Sequence, residues 1–383
     1  MIEHVTQDLS TTAWQIPTKR SLTVNDSSDN RVDSVPTTAQ RSDRTTGYVL
    51  SLKPKLPPIL PASSVTSSGQ QAASLEDSKR LQSRHTPGLC GLENIGNTCF
   101  MNSAIQCLNS IPALTEWVMH QQPPLPEKNV IDIYISLVQS MCSGRNSCVN
   151  PRKLKDIVSR TAPIFTDFGQ KDAQEFMNSL LNAIQNVDPN LYLVNLFQIH
   201  TQSKTICSKK QHVDTTDEII TFLPLPIPDM KSHDHNSNVL LEDLIQDFCQ
   251  EDELTGQYYC QQCNELLSAR QKTSIMELLP PALIIQLKRF PFDSTSRKLD
   301  TLVRYKLEHQ NLLSKNDKYT LCAVSMHSGN LSGGHYTTLA RNYQTQKWYR
   351  FNDSHVQEID SKNVVDPLQA QHAYILVYLK HDC

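Results

Sequence analysis

Gly91-Leu92-Glu93-Asn94-Ile95-Gly96-Asn97-Thr98-Cys99-Phe100-Met101-Asn102-Ser103 puts a cysteine where a polar turn gives way to a helix. Beyond Cys99 the apolar residues Met101, Ala104, Ile105, Leu108 and Ile111 recur at helical spacing, so one face of the segment buries. Pro112 disfavours continuation of the helix. Asn97 and Thr98 are cap-type residues just ahead of the apolar run. Cys99 is therefore expected in the first turn, where unpaired N–H groups and the helix dipole favour an anion. That position lowers a thiol pKa and favours thiolate, the form that attacks carbonyls. The competing reading is a buried cysteine acting as a small hydrophobe. A cysteine nucleophile needs a histidine and an orienting amide or carboxylate, so the rest of the chain decides between the two.

The 383 residues admit about two or three domains of ordinary size. With 38% hydrophobic and 20% charged residues the composition is that of a soluble globular protein. A formal net charge of -3 gives no overall attraction to nucleic acid. The 11 cysteines are odd in number and scattered, which favours a reducing compartment with some of them catalytic or metal-binding. Met1 to Asp8 lacks the basic and apolar regions of a signal peptide, and no run of ~18 apolar residues could span a membrane. The expectation is a cytoplasmic or nuclear protein with no membrane and no nucleic-acid partner.

Residues 1–86 are rich in Ser, Thr, Asp and Gln and are punctuated by proline at Lys53-Pro54-Lys55-Leu56-Pro57-Pro58. Such a segment buries too little to offset its ordering entropy and reads as a disordered tail. The globular part is expected over 87–383. After the Cys99 helix, Gln121-Gln122-Pro123-Pro124 is a break, Val130 to Met141 has helical spacing, and Pro151 to Val158 is a shorter helix. Phe176, Met177, Leu180, Leu181 and Ile184 form the apolar side of another, with Gln170, Asp172 and Glu175 around its start. Acidic residues suit a helix N-terminus, so spacing alone gives Asp172 and Glu175 an electrostatic role there. Phe197 to Ile206 reads as a strand, Phe222 to Pro228 as a proline-bearing edge, Met230 to Asn238 as a polar loop, and Leu241 to Phe248 as a short amphipathic helix. Cys260 and Cys263 form a CxxC on a knuckle-like turn. Pro281 to Leu287 is a continuous apolar run, hence a buried strand. Strands follow at Tyr319 to Met326, after Gly333-Gly334, and at His372 to Leu379. Helices first and strands afterwards argue an α+β fold.

His335 follows Gly333 and Gly334, which permit close approach of backbone or of a narrow substrate. A strand-loop-strand hairpin would bring it beside Asn352. It would then take the Cys99 proton, with Asn352 holding the other ring nitrogen, as in papain-like proteases.

On these motifs the chain resembles the ubiquitin-specific proteases, the papain-like deubiquitinases. Gly91 to Gln106 looks like their Cys box, and Gly333-Gly334-His335-Tyr336 with Tyr349-Arg350-Phe351-Asn352-Asp353 like their His box. Gln170-Lys171-Asp172-Ala173-Gln174-Glu175-Phe176 and Leu287-Lys288-Arg289-Phe290 match the intermediate motifs. The resemblance covers about residues 88–380. It implies a helical thumb, a β-rich palm, and zinc-ribbon-like fingers inserted at about 195–275. It implies Cys99 as nucleophile, His335 as general base and acid, Asn352 in the third place with Asp353 assisting, and Asn94 as an oxyanion donor. Ubiquitin and ubiquitinated proteins would be the partners, the isopeptide bond after the ubiquitin C-terminal glycine the target. Asp172 and Gln170 would meet the ubiquitin tail, whose arginines suit Asp172, while Tyr336, Gly333 and Gly334 would wall the diglycine slot. Glu175 is given a structural role. No cofactor is implied for catalysis. The family's finger zinc would fall to Cys207, His212, Cys260 and Cys263, although Lys210 stands where a fourth cysteine is usual. A finger that has lost its metal and folds by packing is the alternative there. Two further functional readings stay open: a catalytically weak ubiquitin-binding scaffold, and a protease for a ubiquitin-like modifier.

Overall fold

The computed structural model describes residues 85–122, 126–187, 195–229, 239–290, 298–330 and 333–381. The expected tail, up to residue 84, and the expected loop 230–238 lie outside the described residues. Helices come first: α1 (Cys99–Asn109), α2 (Pro112–His120), α3 (Val130–Cys142), α4 (Arg152–Thr161) and α5 (Ala173–Val187), with the short parallel pair β1 (Gly91–Leu92) and β2 (Cys148–Val149) beside them. Pro112 does end α1, but it opens α2 as its first residue, where the missing N–H costs nothing.

Next comes an antiparallel sheet of β3 (Ile199–Cys207), β4 (Val213–Ile220), β7 (Glu251–Cys260) and β8 (Glu265–Ile275), in the order β4-β3-β8-β7. Between its halves run β5 (Phe222–Pro226), β6 (Val239–Leu240) and α6 (Leu241–Phe248). The C-terminal part builds an eight-stranded sheet from β5, β9 (Ala282–Lys288), β11 (Glu308–Gln310), β12 (Lys318–Gly329), β13 (Gly334–Arg341), β14 (Trp348–Asn352), β15 (His355–Ile359) and β16 (Ala373–Lys380). The path runs β15-β14-β13-β12-β16-β9-β5, with β11 on β12. β10 (Val303–Arg304) pairs with β6, and α7 (Pro367–Ala370) precedes β16. The proline-bearing β5 occupies the sheet edge, as a strand lacking donors must.

Two hydrophobic cores lie on the two faces of the large sheet. On β9, Ile284 faces the helices while Leu283 and Ile285 face the other core; on β16, Ile375 and Val377 alternate likewise with Leu376 and Tyr378. A strand covered on both sides has no polar face, which is why 281–287 reads as an unbroken apolar run. The fold is α+β, with a helical layer against one face of the sheet.

The sequence makes α1 amphipathic, but every residue from Cys99 to Asn109 is buried. The helix is wedged between α5 on one side and β12 and β13 on the other. Its polar residues are therefore hydrogen-bonded internally: Gln106 Nε2 donates to Cys90 O at 2.8 Å, and Asn102 Nδ2 to Asp353 Oδ1 at 2.8 Å. Among the described residues no helix is long and apolar enough to cross a membrane.

Candidate active site

Thr98 takes the N-cap position of α1 but makes no side-chain cap; its Oγ1 instead accepts from Ile95 N at 3.0 Å. Asn94 Oδ1 accepts from Gly96 N and Thr98 N, both at 3.1 Å, folding the loop ahead of Cys99 into a tight turn. Gly96 sits at φ 116° and Asn97 at φ 51°, conformations that suit glycine and asparagine. Cys99 is buried at the head of the helix, where backbone N–H groups nearby, that of Tyr336 foremost, favour the thiolate. Burial nevertheless pushes its thiol pKa up, and the Asp353 charge adds to the rise. This corrects the expectation of a lowered pKa: desolvation at this depth outweighs the helix terminus.

His335 stands at the start of β13, paired with Ser328 of β12. Its Nε2 lies 2.6 Å from Asn352 Oδ1 at the end of β14. The adjacent antiparallel strands β13 and β14 produce this pairing. Tyr336, the next residue, lies on the strand that packs against the helix of Cys99, and its backbone N–H favours the thiolate. Among the described residues, Cys99 and His335 share no hydrogen bond, so the two stand on neighbouring elements without a formed bond between them.

Asp353 does not reach the imidazole. At φ 49° in the turn after β14, it aims Oδ2 at Asn94 Nδ2 (2.9 Å) and Oδ1 at Asn102 Nδ2 (2.8 Å), while its carbonyl accepts from Leu92 N at 2.9 Å. One side chain thus ties the Asn94 loop to α1. Gly91 is required there, because a Cβ on it would lie 2.4 Å from Ser354 O. Sequence reasoning named Asp353 but missed Asn102, because helical spacing does not tell what an amide on the polar side of α1 meets.

Asp172 is the N-terminal cap of α5. Its Oδ1 accepts from Gln174 N (2.7 Å) and Glu175 N (3.0 Å), and its Oδ2 from Tyr374 OH (2.5 Å), with the Tyr336 hydroxyl turned to the same carboxylate. Burial pushes its carboxyl pKa up against the pull of these donors. Gln286 Nε2 extends the chain by donating to Tyr374 OH at 2.9 Å. Asp172 is thus engaged on both oxygens by its own protein. Glu175, half-buried beside it, accepts no hydrogen bond among the described residues; burial and the Asp172 charge push its pKa up. Gln170 Oε1 accepts from Gly334 N at 2.6 Å and joins the start of α5 to the start of β13. Tyr336 is buried against the His327 ring, 4.6 Å between centroids. A Cβ on Gly334 would fall 2.2 Å from His327 Nε2, so the imidazole fills the place of a side chain there. His327 went unremarked in the sequence; its signal is only the glycine opposite.

Cys207, His212, Cys260 and Cys263 come together at the far end of the four-stranded sheet. Their ligand atoms lie within 4.8 Å of one another, and His212 Nδ1 is 3.5 Å from both Cys260 Sγ and Cys263 Sγ. Two turns shape the cluster: Gln211 N returns to Cys207 O (3.2 Å) and Asn264 N to Cys260 O (2.8 Å). Three sulfurs and one imidazole converging from two turns fit a tetrahedral metal ion, and His212 fills the place that Lys210 leaves open.

The sequence model of the ubiquitin carboxyl-terminal hydrolase family matches residues 90–378. The chain is 30% identical over 336 residues to ubiquitin carboxyl-terminal hydrolase Usp2 of Drosophila melanogaster, covering 76% of this chain and 35% of that protein. It is 31% identical over 351 residues to ubiquitin carboxyl-terminal hydrolase 2 of Homo sapiens, covering 78% of this chain and 56% of that one. The chain therefore spans from about a third to little more than half the length of these relatives. Among solved structures it is similar in fold to a chain of the SAGA DUB module containing Ubp8, bound to monoubiquitin, with a TM-score of 0.63, 24% identity, and 81% and 74% of the two chains covered.

Proposed function

This chain belongs to the ubiquitin carboxyl-terminal hydrolase family, and we propose that it is a thiol-dependent deubiquitinase, hydrolysing the isopeptide bond after the C-terminal glycine of ubiquitin on protein conjugates. The observation that carries this reading is the 2.6 Å bond from His335 Nε2 to Asn352 Oδ1, on a strand that packs against the helix headed by Cys99. Asn352 holds Nε2, which leaves Nδ1 of His335 to receive the Cys99 proton. The thiolate then attacks the glycine carbonyl, and His335 returns the proton to the departing lysine amine. Water, activated by the same imidazole, hydrolyses the thioester.

The oxyanion is assigned to the Cys99 backbone N–H and to Asn94. A carboxamide nitrogen has two protons. Asp353 takes one and fixes the amide plane; the other remains for the oxyanion. Asp353 therefore acts through Asn94 and Asn102 rather than on the histidine. The tail arginine is assigned to Glu175 rather than to Asp172, whose oxygens are already occupied. Gln170, Gly333, Gly334 and Tyr336 are assigned to the walls of the slot for the diglycine, whose lack of side chains suits a narrow passage.

Cys207, His212, Cys260 and Cys263 are assigned to a structural zinc, which would tie the two turns at the sheet's end. It takes no part in the chemistry. A reducing compartment, cytoplasmic or nuclear, is assigned on the odd number of scattered cysteines, 11 in all.

Steady-state cleavage of ubiquitin carrying a lysine isopeptide tests the reading. Cys99→Ala and His335→Ala are each expected to lower kcat by about 10⁴-fold or more. Turnover retained in either variant contradicts it, and a preference for a ubiquitin-like modifier in a parallel assay changes the substrate but not the chemistry.

A further inference from the structure

We infer that Ser103, Ser325 and Thr338 form a buried hydroxyl triangle that sets the reach between Cys99 and His335, making these three residues positioning residues for the nucleophile and its base. The inference rests on the functional reading of that pair given above. Ser103 lies one helical turn beyond Cys99 on α1, and Thr338 three residues beyond His335 on β13. Ser325 and Thr338 are cross-strand partners in the β12–β13 register, so their side chains share one face of the sheet. Ser103 Oγ closes the figure, 2.7 Å from Ser325 Oγ and 2.8 Å from Thr338 Oγ1. Thr338 Oγ1 also donates to the Ser103 carbonyl at 3.2 Å. None of the three is more than 3% exposed.

The placement is unusual for the centre of a packed interface, where aliphatic side chains would bury more apolar area. Apolar contact is non-directional and lets a helix slide along a strand. A hydrogen bond weakens steeply with distance and angle, so three of them resist such sliding. The same helix stripe continues in both directions. Cys99 lies near the Tyr336 backbone N–H, and Cys107, another turn on, near the Thr338 hydroxyl. Every fourth residue of α1 is thereby keyed to β13, the strand that carries His335. The nucleophile and base come from parts of the chain more than 200 residues apart, and nothing in the covalent structure fixes their spacing. A misplacement of about 1 Å costs about 10²-fold in rate, which is the scale on which the triangle acts.

Thr338→Val keeps shape and removes the hydroxyl; Thr338→Ser keeps the hydroxyl. The Val variant is expected to lose about tenfold or more in kcat with KM changed less than about twofold, and the Ser variant to recover most of the turnover. Ser103→Ala combined with Thr338→Val is expected to lose little more than either alone, because both break one network. Ser325→Ala, the smallest change, gives the same kcat–KM split should the Val variant fold poorly. A Val variant with the parent kcat, or Ser and Val variants equally impaired, overturns the inference while the functional reading stands. A parent chain inactive on ubiquitin substrates overturns both.

Discussion

Cys99 sits in a balance between two local effects of opposite sign. The helix start and nearby backbone N–H groups favour thiolate; burial and the Asp353 carboxylate oppose it, and burial is the largest. A raised pKa keeps the proton on sulfur to higher pH, so the thiolate fraction at neutral pH falls. Alkylation of Cys99 by a small neutral reagent is therefore expected to be slow at pH 7 and to rise through a midpoint above the ordinary thiol value of about 8.5; a midpoint below that value contradicts this balance. The Asn94–Asp353 bond makes a second prediction at this scale. Asn94→Ala removes an oxyanion donor and should cost ~10²–10³ in kcat. Asp353→Ala should cost a similar amount by releasing the same amide, and the double variant little more than either; additive losses would show that Asp353 acts elsewhere. The pairing of His335 with Asn352 was legible in the sequence because adjacent strands carry them. The Asp353 contacts were not, because a turn near the C-terminus folds back on a loop 259 residues earlier. The internal partners of Asp172 were hidden for a related reason: Tyr374 comes from a strand 202 residues away.

Between elements, the contact of β12 with β13 carries the most specific demand. Gly334→Ala would drive a methyl to 2.2 Å from His327 Nε2 and 2.8 Å from Ser328 O, so a loss of about 1–3 kcal/mol in unfolding free energy is expected, with activity falling alongside. His327 itself is held neutral. Burial, and after it the nearby charges of Lys298 and Arg289, push its pKa down to about 4 from an ordinary value of 6.5. Between those values the unfolded chain takes up a proton that the folded chain refuses. Its share of stability is full above about pH 6.5 and is lost as pH falls through about 4, amounting to on the order of 3 kcal/mol. His327→Phe should flatten the acid limb of stability over that window in denaturant titrations; an unchanged slope would mean that His327 protonates freely in the folded protein. Helix periodicity correctly located α1 and its end but missed its burial on every side. Its polar face is satisfied by Cys90, Asp353 and the hydroxyls of β12 and β13, and periodicity is silent about whether a polar face meets solvent or protein.

At the scale of the whole molecule, two cores share one sheet, and the four-stranded sheet projects beyond them with its β4 strand exposed along nearly its full length. So little apolar burial at that end leaves the cysteine–histidine cluster to hold the turns together. Metal analysis should return about one zinc per chain, and Cys263→Ser should abolish it while lowering the thermal midpoint; a metal-free protein with the parent midpoint contradicts the assignment. The α+β order and the CxxC were readable from the sequence, but the fourth ligand depended on the turn geometry that swings His212 round beside Cys260 and Cys263. The account as a whole turns on Cys99 as the atom that attacks, and peptide mapping after reaction with ubiquitin bearing a C-terminal electrophile measures this most directly. A single ubiquitin adduct on Cys99, slowed strongly by His335→Ala and absent in Cys99→Ala, is the predicted result; an adduct on Cys107 or Cys148, or labelling that survives Cys99→Ala, would contradict it.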